Sequence, residues 1–112
     1  MKYYYNLYLD DYTSNNREEI IEKLESDKWQ FEIYLITMSK NEKNHLEIYN
    51  SALLLQKGMA DEQLFVIGFA RGYDEAVELV EMIIKEVYDN TNGTNIRNYI
   101  LQKQQKFEEG NA

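Results

Sequence analysis

The chain predicts an α/β fold, a small three-stranded and mainly parallel sheet with flanking helices in the order β-α-β-α-β-α-α. Three observations carry that expectation. Residues 64–70, Leu-Phe-Val-Ile-Gly-Phe-Ala, form a nearly unbroken apolar run, the pattern of a strand covered on both faces. From Ala76 the period changes: Ala76, Val77, Leu79, Val80, Ile83, Ile84, Val87 and Tyr88 recur at helical spacing, with Glu75, Glu78, Glu81, Lys85, Glu86 and Asp89 between them. Upstream, strand-like and helix-like stretches alternate, which argues for crossover connections.

Lys2 to Leu9 reads as the first strand, with Tyr3, Tyr5, Leu7 and Leu9 on one face and Lys2, Tyr4, Asn6 and Tyr8 on the other. The second face is amphipathic, which places the strand at or near a sheet edge. Asp10 to Asn16 is a polar turn rich in helix-cap residues, and Ile20, Ile21 and Leu24 give the following short helix its inner face. Ser26-Asp27-Lys28 ends that helix. Trp29 to Met38 then reads as the second strand, with Trp29, Phe31, Ile33 and Leu35 sharing a face.

Residues 44–56 are ambiguous. Strand alternation breaks at Asn50-Ser51, whereas helical spacing gathers Leu46, Ile48, Tyr49, Ala52, Leu53 and Leu55 on one side. Asn44 and Glu47 stand at capping-box spacing and Gly58 sits where a helix would end, so a helix is expected. The alternative is an α+β two-layer sandwich in which 45–55 is a strand and 29–55 an antiparallel hairpin. Asn90 to Gly93 is a stop signal; Thr94 or Asn95 caps a last helix carrying Ile96, Tyr99, Ile100 and Leu101, with fraying expected from about Phe107.

At 112 residues the chain is expected to form one domain, spanning 1–112. It has no cysteine, which removes disulfides and thiolate metal sites. The opening Met-Lys-Tyr-Tyr-Tyr lacks the apolar core of a signal peptide and no run reaches membrane-spanning length, so a cytoplasmic location is expected. A net charge of −8 opposes binding to nucleic-acid phosphates or anionic lipid. Ten tyrosines and no proline are the compositional oddities.

Were the sheet parallel, its strand ends would share one rim, where open α/β sheets bind ligands. That rim would collect Asp10, Asp11, Thr37, Ser39, Gly68, Arg71 and Gly72. Adjacent Asp10 and Asp11 suit a hard cation such as magnesium, although turn and helix-start roles are commoner. The Gly68–Gly72 stretch leads into a helix start that can cradle an anion, but it matches neither the Walker A nor the dinucleotide spacing, and Asp74 and Glu75 already supply negative charge. His45, the single histidine, has no catalytic or zinc pattern around it. No cofactor motif is present, and none is expected.

Tyr4 and Tyr8, on the amphipathic face of an edge strand, suggest that something covers that edge. The C-terminal helix and a second copy are the candidates, and a homodimer is expected. The function expected is that of a small, non-catalytic interaction or accessory protein. A small-ligand, anion or magnesium site at the strand-end rim is the first alternative. The second is an acidic inhibitor or mimic of nucleic acid, using the carboxylates of helix 74–89.

Overall fold

The computed structural model describes residues 1–39, 46–56 and 64–110, so Asn44, His45 and Gly58 lie outside the described residues. Its elements are β1 (Lys2–Leu9), α1 (Asp11–Asn15), α2 (Arg17–Glu25), β2 (Ile33–Met38), β3 (Leu46–Asn50), α3 (Ser51–Gln56), β4 (Phe65–Arg71), α4 (Tyr73–Thr91) and α5 (Ile96–Glu108). The sheet has four strands in the order β1-β4-β2-β3. β1 and β4 are parallel, while β2 runs antiparallel to both β4 and β3. The fold is therefore α+β with a mixed sheet.

This corrects the expected three-stranded, mainly parallel sheet, and the reason lies in residues 46–56. Both readings of that stretch are half right. Leu46–Asn50 is extended and pairs with β2, with Ile36 opposite Ile48 and Leu35 opposite Tyr49. At Asn50 the side-chain Oδ1 accepts from the Ala52 backbone N–H at 2.9 Å, and α3 begins. The break in alternation at Asn50-Ser51 marks a strand-to-helix junction. Leu46–Asn50 adds a fourth strand antiparallel to β2, and β2 itself runs antiparallel to β4, so the sheet is mixed.

β4 sits between β1 and β2, and Val66, Ile67, Phe69 and Ala70 are all fully buried, as its apolar run demands. Both faces of the sheet are covered. Tyr3 of β1 packs edge-on against Phe69 and its hydroxyl donates to Glu25 of α2 at 2.5 Å. The next residue, Tyr4, turns the other way against Phe65 and stacks on Tyr8, whose hydroxyl reaches Glu86 of α4. α4 buries Ala76, Leu79, Ile83 and Val87, four positions of its sequence stripe, and stops where Asn92 takes a left-handed conformation.

Gly68 is a point of close backbone approach in the sheet. β1 has a register irregularity between Tyr3 and Tyr8, and the Tyr8 backbone passes close to Gly68: a Cβ there would lie 2.6 Å from the Tyr8 carbonyl oxygen. A glycine inside a strand here reports a close backbone approach.

The outer edge of β1 is covered from within the chain. Gln104 of α5 accepts a hydrogen bond from the Tyr5 backbone N–H at 2.9 Å, and Phe107 stacks on Tyr5 with ring centroids 4.5 Å apart. Lys2 pairs with Glu108 at 3.0 Å, so α5 stays helical well past the last aliphatic residue of its pattern. Among the described residues no helix is long and apolar enough to cross a membrane.

Candidate functional site

The parallel pair β1–β4 does bring two strand ends to one rim. Asp10 caps α1, its Oδ1 accepting from the Thr13 backbone N–H at 2.8 Å and lying 2.7 Å from the Thr13 hydroxyl. Its second oxygen accepts from the Arg71 backbone N–H at 2.9 Å, tying the end of β4 to the end of β1. Both carboxylate oxygens are thus engaged in holding the rim together. Asp11 is exposed in the first turn of α1. Gly72 starts α4 with φ +98°, a conformation that favours glycine, and its N–H donates to the Glu32 carbonyl at 2.8 Å.

The other predicted rim residues lie elsewhere. Since β2 is antiparallel, Thr37 and Ser39 fall at the opposite end of the sheet, with Thr37 beside Val66 near the start of β4. Thr37 is buried, and its hydroxyl has no hydrogen-bond partner among the described residues. Ser39 donates to Glu47 at 2.7 Å, and its carbonyl accepts from Arg97. Gly68 lies in the interior of β4. Only Asp10, Asp11, Arg71 and Gly72 share the expected rim. Among the described residues no group of three or more His, Asp or Glu side chains comes together in a way that could hold a metal ion.

The two tyrosines expected at an interface are occupied within the chain. Tyr4 is 1% exposed and belongs to the core. Tyr8 and Tyr99 both donate to Glu86 Oε2, at 2.6 and 2.8 Å. Burial, then the hydrogen bond to Glu86, raises the Tyr8 phenol well above its ordinary value and pushes Tyr99 up to about 12. Burial raises Tyr4 as well.

What the sequence reading missed is the segment between α2 and β2. β2 begins only at Ile33, and the residues before it are inside out relative to a strand with an apolar inner face. Trp29 and Phe31 are 63% and 64% exposed, while Gln30 between them is buried and donates from Nε2 to the Ile20 carbonyl at 3.1 Å. Two non-glycine residues with positive φ bound the segment, Asp27 at +54° and Glu32 at +59°. Such backbone is uncommon, and in structures it gathers where a surface has to be held in a set shape. The Glu32 carbonyl is held by Gly72, so this end of the segment is locked to the start of α4.

Between this segment and the α1–α2 pair lies a pocket of about 370 Å³, whose wall includes Tyr12, Ile20, Trp29, Phe31, Ile33 and Arg71. The Trp29 and Phe31 rings are 5.9 Å apart. At the same surface the Arg71 guanidinium lies over the exposed Tyr12 ring, 4.4 Å from its centroid, with Glu32 at 4.0 Å. Trp, Tyr and Arg are the residue types that dominate binding hot spots, and a large exposed aromatic group marks an interaction site more often than does a scattered exposed leucine. The Trp-Gln-Phe-Glu alternation was a visible signal, but it fits an inward-facing strand equally well.

Comparisons with protein-family models, with curated proteins and with solved structures return no match.

Proposed function

We propose that this chain is a small, non-catalytic interaction protein that takes an apolar side chain of a protein partner into the pocket between Tyr12, Trp29 and Phe31. The observation that carries the reading is the inversion at residues 29–31, where the polar residue is buried and hydrogen-bonded and the two aromatics point outward. Leaving those rings in water forgoes roughly 1.5–3 kcal/mol of burial for a large apolar side chain, a cost a partner removes. The pocket is roomy enough for a large side chain, and beside it Arg71 is set against Glu32 and Lys23 against Glu19, so the anchor and not net charge selects the partner.

The test replaces Phe31 with a photocrosslinking residue in cells that make the protein, identifies the adduct, and titrates that partner against the wild type and Trp29→Ser. The expected result is a loss of affinity of about 30-fold or more, with unfolding unchanged. Equal affinity for Trp29→Ser contradicts the reading.

A second reading keeps the same pocket for a small planar anion, favoured by the Arg71 guanidinium stacked on Tyr12. It predicts a thermal shift with nucleotides or phosphosugars that Arg71→Ala removes. Asp10→Asn is not a clean probe of that idea, because Asp10 caps α1 and ties β1 to β4.

A further inference from the structure

The flank of α4 beside its core face carries an apolar stripe that the core takes only in part, through Val80. Tyr73, Val77, Val80, Ile84 and Tyr88 recur at helical steps of three and four, so they line one side of the helix over about 22 Å at 1.5 Å per residue. Tyr73 and Tyr88 are each 56% exposed, Ile84 is exposed, and Val77 and Val80 are half-buried. The core stripe of Ala76, Leu79, Ile83 and Val87 is a different face, about 100° away around the helix axis. Tyr73 touches Tyr34 of β2 edge-on at 5.8 Å, which places the stripe on the β2 side of α4.

Beside the stripe, on its solvent side, stand Asp74, Glu78 and Glu81, one per turn and all exposed. Among the described residues none of the three has an ion-pair partner; Lys85, the single cation on α4, is paired with Asp89 at 2.6 Å. The flank is therefore an apolar line with an uncompensated acidic rim. A second copy would bring the same acidic rim and the same net charge of −8 against it, so charge disfavours self-pairing here.

We propose that the Tyr73–Tyr88 flank of α4 is a docking surface for a cationic amphipathic helix of a partner protein. Its apolar residues would lie along Val77, Val80 and Ile84, and its lysines or arginines against Asp74, Glu78 and Glu81. This is helix-on-helix packing, with apolar residues at steps of three and four supplying contact and the acidic rim supplying orientation and encounter rate. The surface is separate from the pocket at Trp29, and the two stand or fall independently.

The probe is a synthetic helical peptide of leucine and lysine patterned to one apolar face, compared with an isomer of identical composition in scrambled order. The patterned peptide is expected to bind at least about tenfold more tightly than its isomer, and Ile84→Glu to lose about tenfold of that affinity. Glu78→Lys combined with Glu81→Lys is expected to weaken binding and flatten its dependence on salt, while Trp29→Ser leaves it unchanged. Equal binding of the two peptides overturns the proposal, since charge alone would then explain it. So does affinity unaffected by Ile84→Glu, or a dimer in light scattering that Ile84→Glu dissociates, which would make the occupant a second copy.

Discussion

Replacing Gly68 with alanine tests the close approach of β1 to β4. The new Cβ would sit 2.6 Å from the Tyr8 carbonyl oxygen and 3.3 Å from the Tyr8 Cβ, whereas real Cβ contacts essentially never fall below 3.0 Å. The obstacle is backbone in a paired strand, and no side chain can swing aside to relieve it. Tyr8 opposite Gly68 is where the β1–β4 register resumes after its irregularity, so a shift of β1 disturbs that pairing and the Tyr8–Glu86 contact together. Overpacking of this kind costs about 1–3 kcal/mol. With a urea dependence of roughly 1–3 kcal/mol per molar, a loss of about 2 kcal/mol moves the unfolding midpoint down by ~1 M. Gly93→Ala is the control, because the nearest atom to a Cβ there is 3.6 Å away, in ordinary contact. A Gly68→Ala midpoint within about 0.2 M of wild type would refute the close approach, and with it the pairing of β1 on β4.

Three other outcomes are expected. Gln104→Ala leaves the Tyr5 N–H without its 2.9 Å acceptor on a sheet edge; it should cost about 1–3 kcal/mol and speed hydrogen exchange at Tyr5, and unchanged exchange would count against α5 as the edge cover. Tyr8→Phe and Tyr99→Phe each remove a donor to the same Glu86 oxygen, so their costs should fail to add by about 0.5 kcal/mol or more in a double-mutant cycle; strict additivity contradicts the shared acceptor. Tyr3, Tyr4 and Tyr8 have phenol pKa values raised first by burial, and Tyr99 is raised to about 12. Raised values favour the neutral folded form, so this stability is complete below the unfolded tyrosine pKa of about 10 and falls as pH climbs above it. Ultraviolet titration should show these four phenols ionising only with unfolding; their ionisation at about pH 10 in a folded chain would contradict it.

Periodicity revealed the elements whose surroundings are uniform. The β4 run is buried on both faces, and the α4 stripe names its core residues because one face packs on a sheet. Gly68, expected at the rim, lies inside β4, where a glycine marks a bulge or a close backbone approach, and the structure shows the approach. Direction was hidden. Nothing in Trp29–Met38 states which way β2 runs, because strand alternation looks the same read in either direction; and in 46–56 a five-residue strand running directly into a six-residue helix blends two periods within one window. The rim of Asp10, Asp11, Arg71 and Gly72 was legible because β1 and β4 are parallel, whereas Thr37 and Ser39 were misplaced by the same reversal of β2. Gln104 and Gln30 were invisible because a glutamine that satisfies one buried backbone group leaves no pattern. Trp29 and Phe31 were misread because alternation reports a period and carries no sign: the burial of Gln30 fixes the sign, and that is a tertiary fact.

Trp29 is the single tryptophan of the chain, which makes its environment directly readable. Acrylamide quenching of its fluorescence in the purified, unpartnered protein is the measurement closest to the proposed partner pocket at Tyr12, Trp29 and Phe31. An indole that is 63% exposed should emit like one in water, be quenched nearly as readily as a free indole, and shift to the blue on binding a partner. A blue-shifted, quencher-protected emission in the monomer would put Trp29 inside the protein, as an inward-facing strand would have it, and leave the pocket without its exposed aromatic wall.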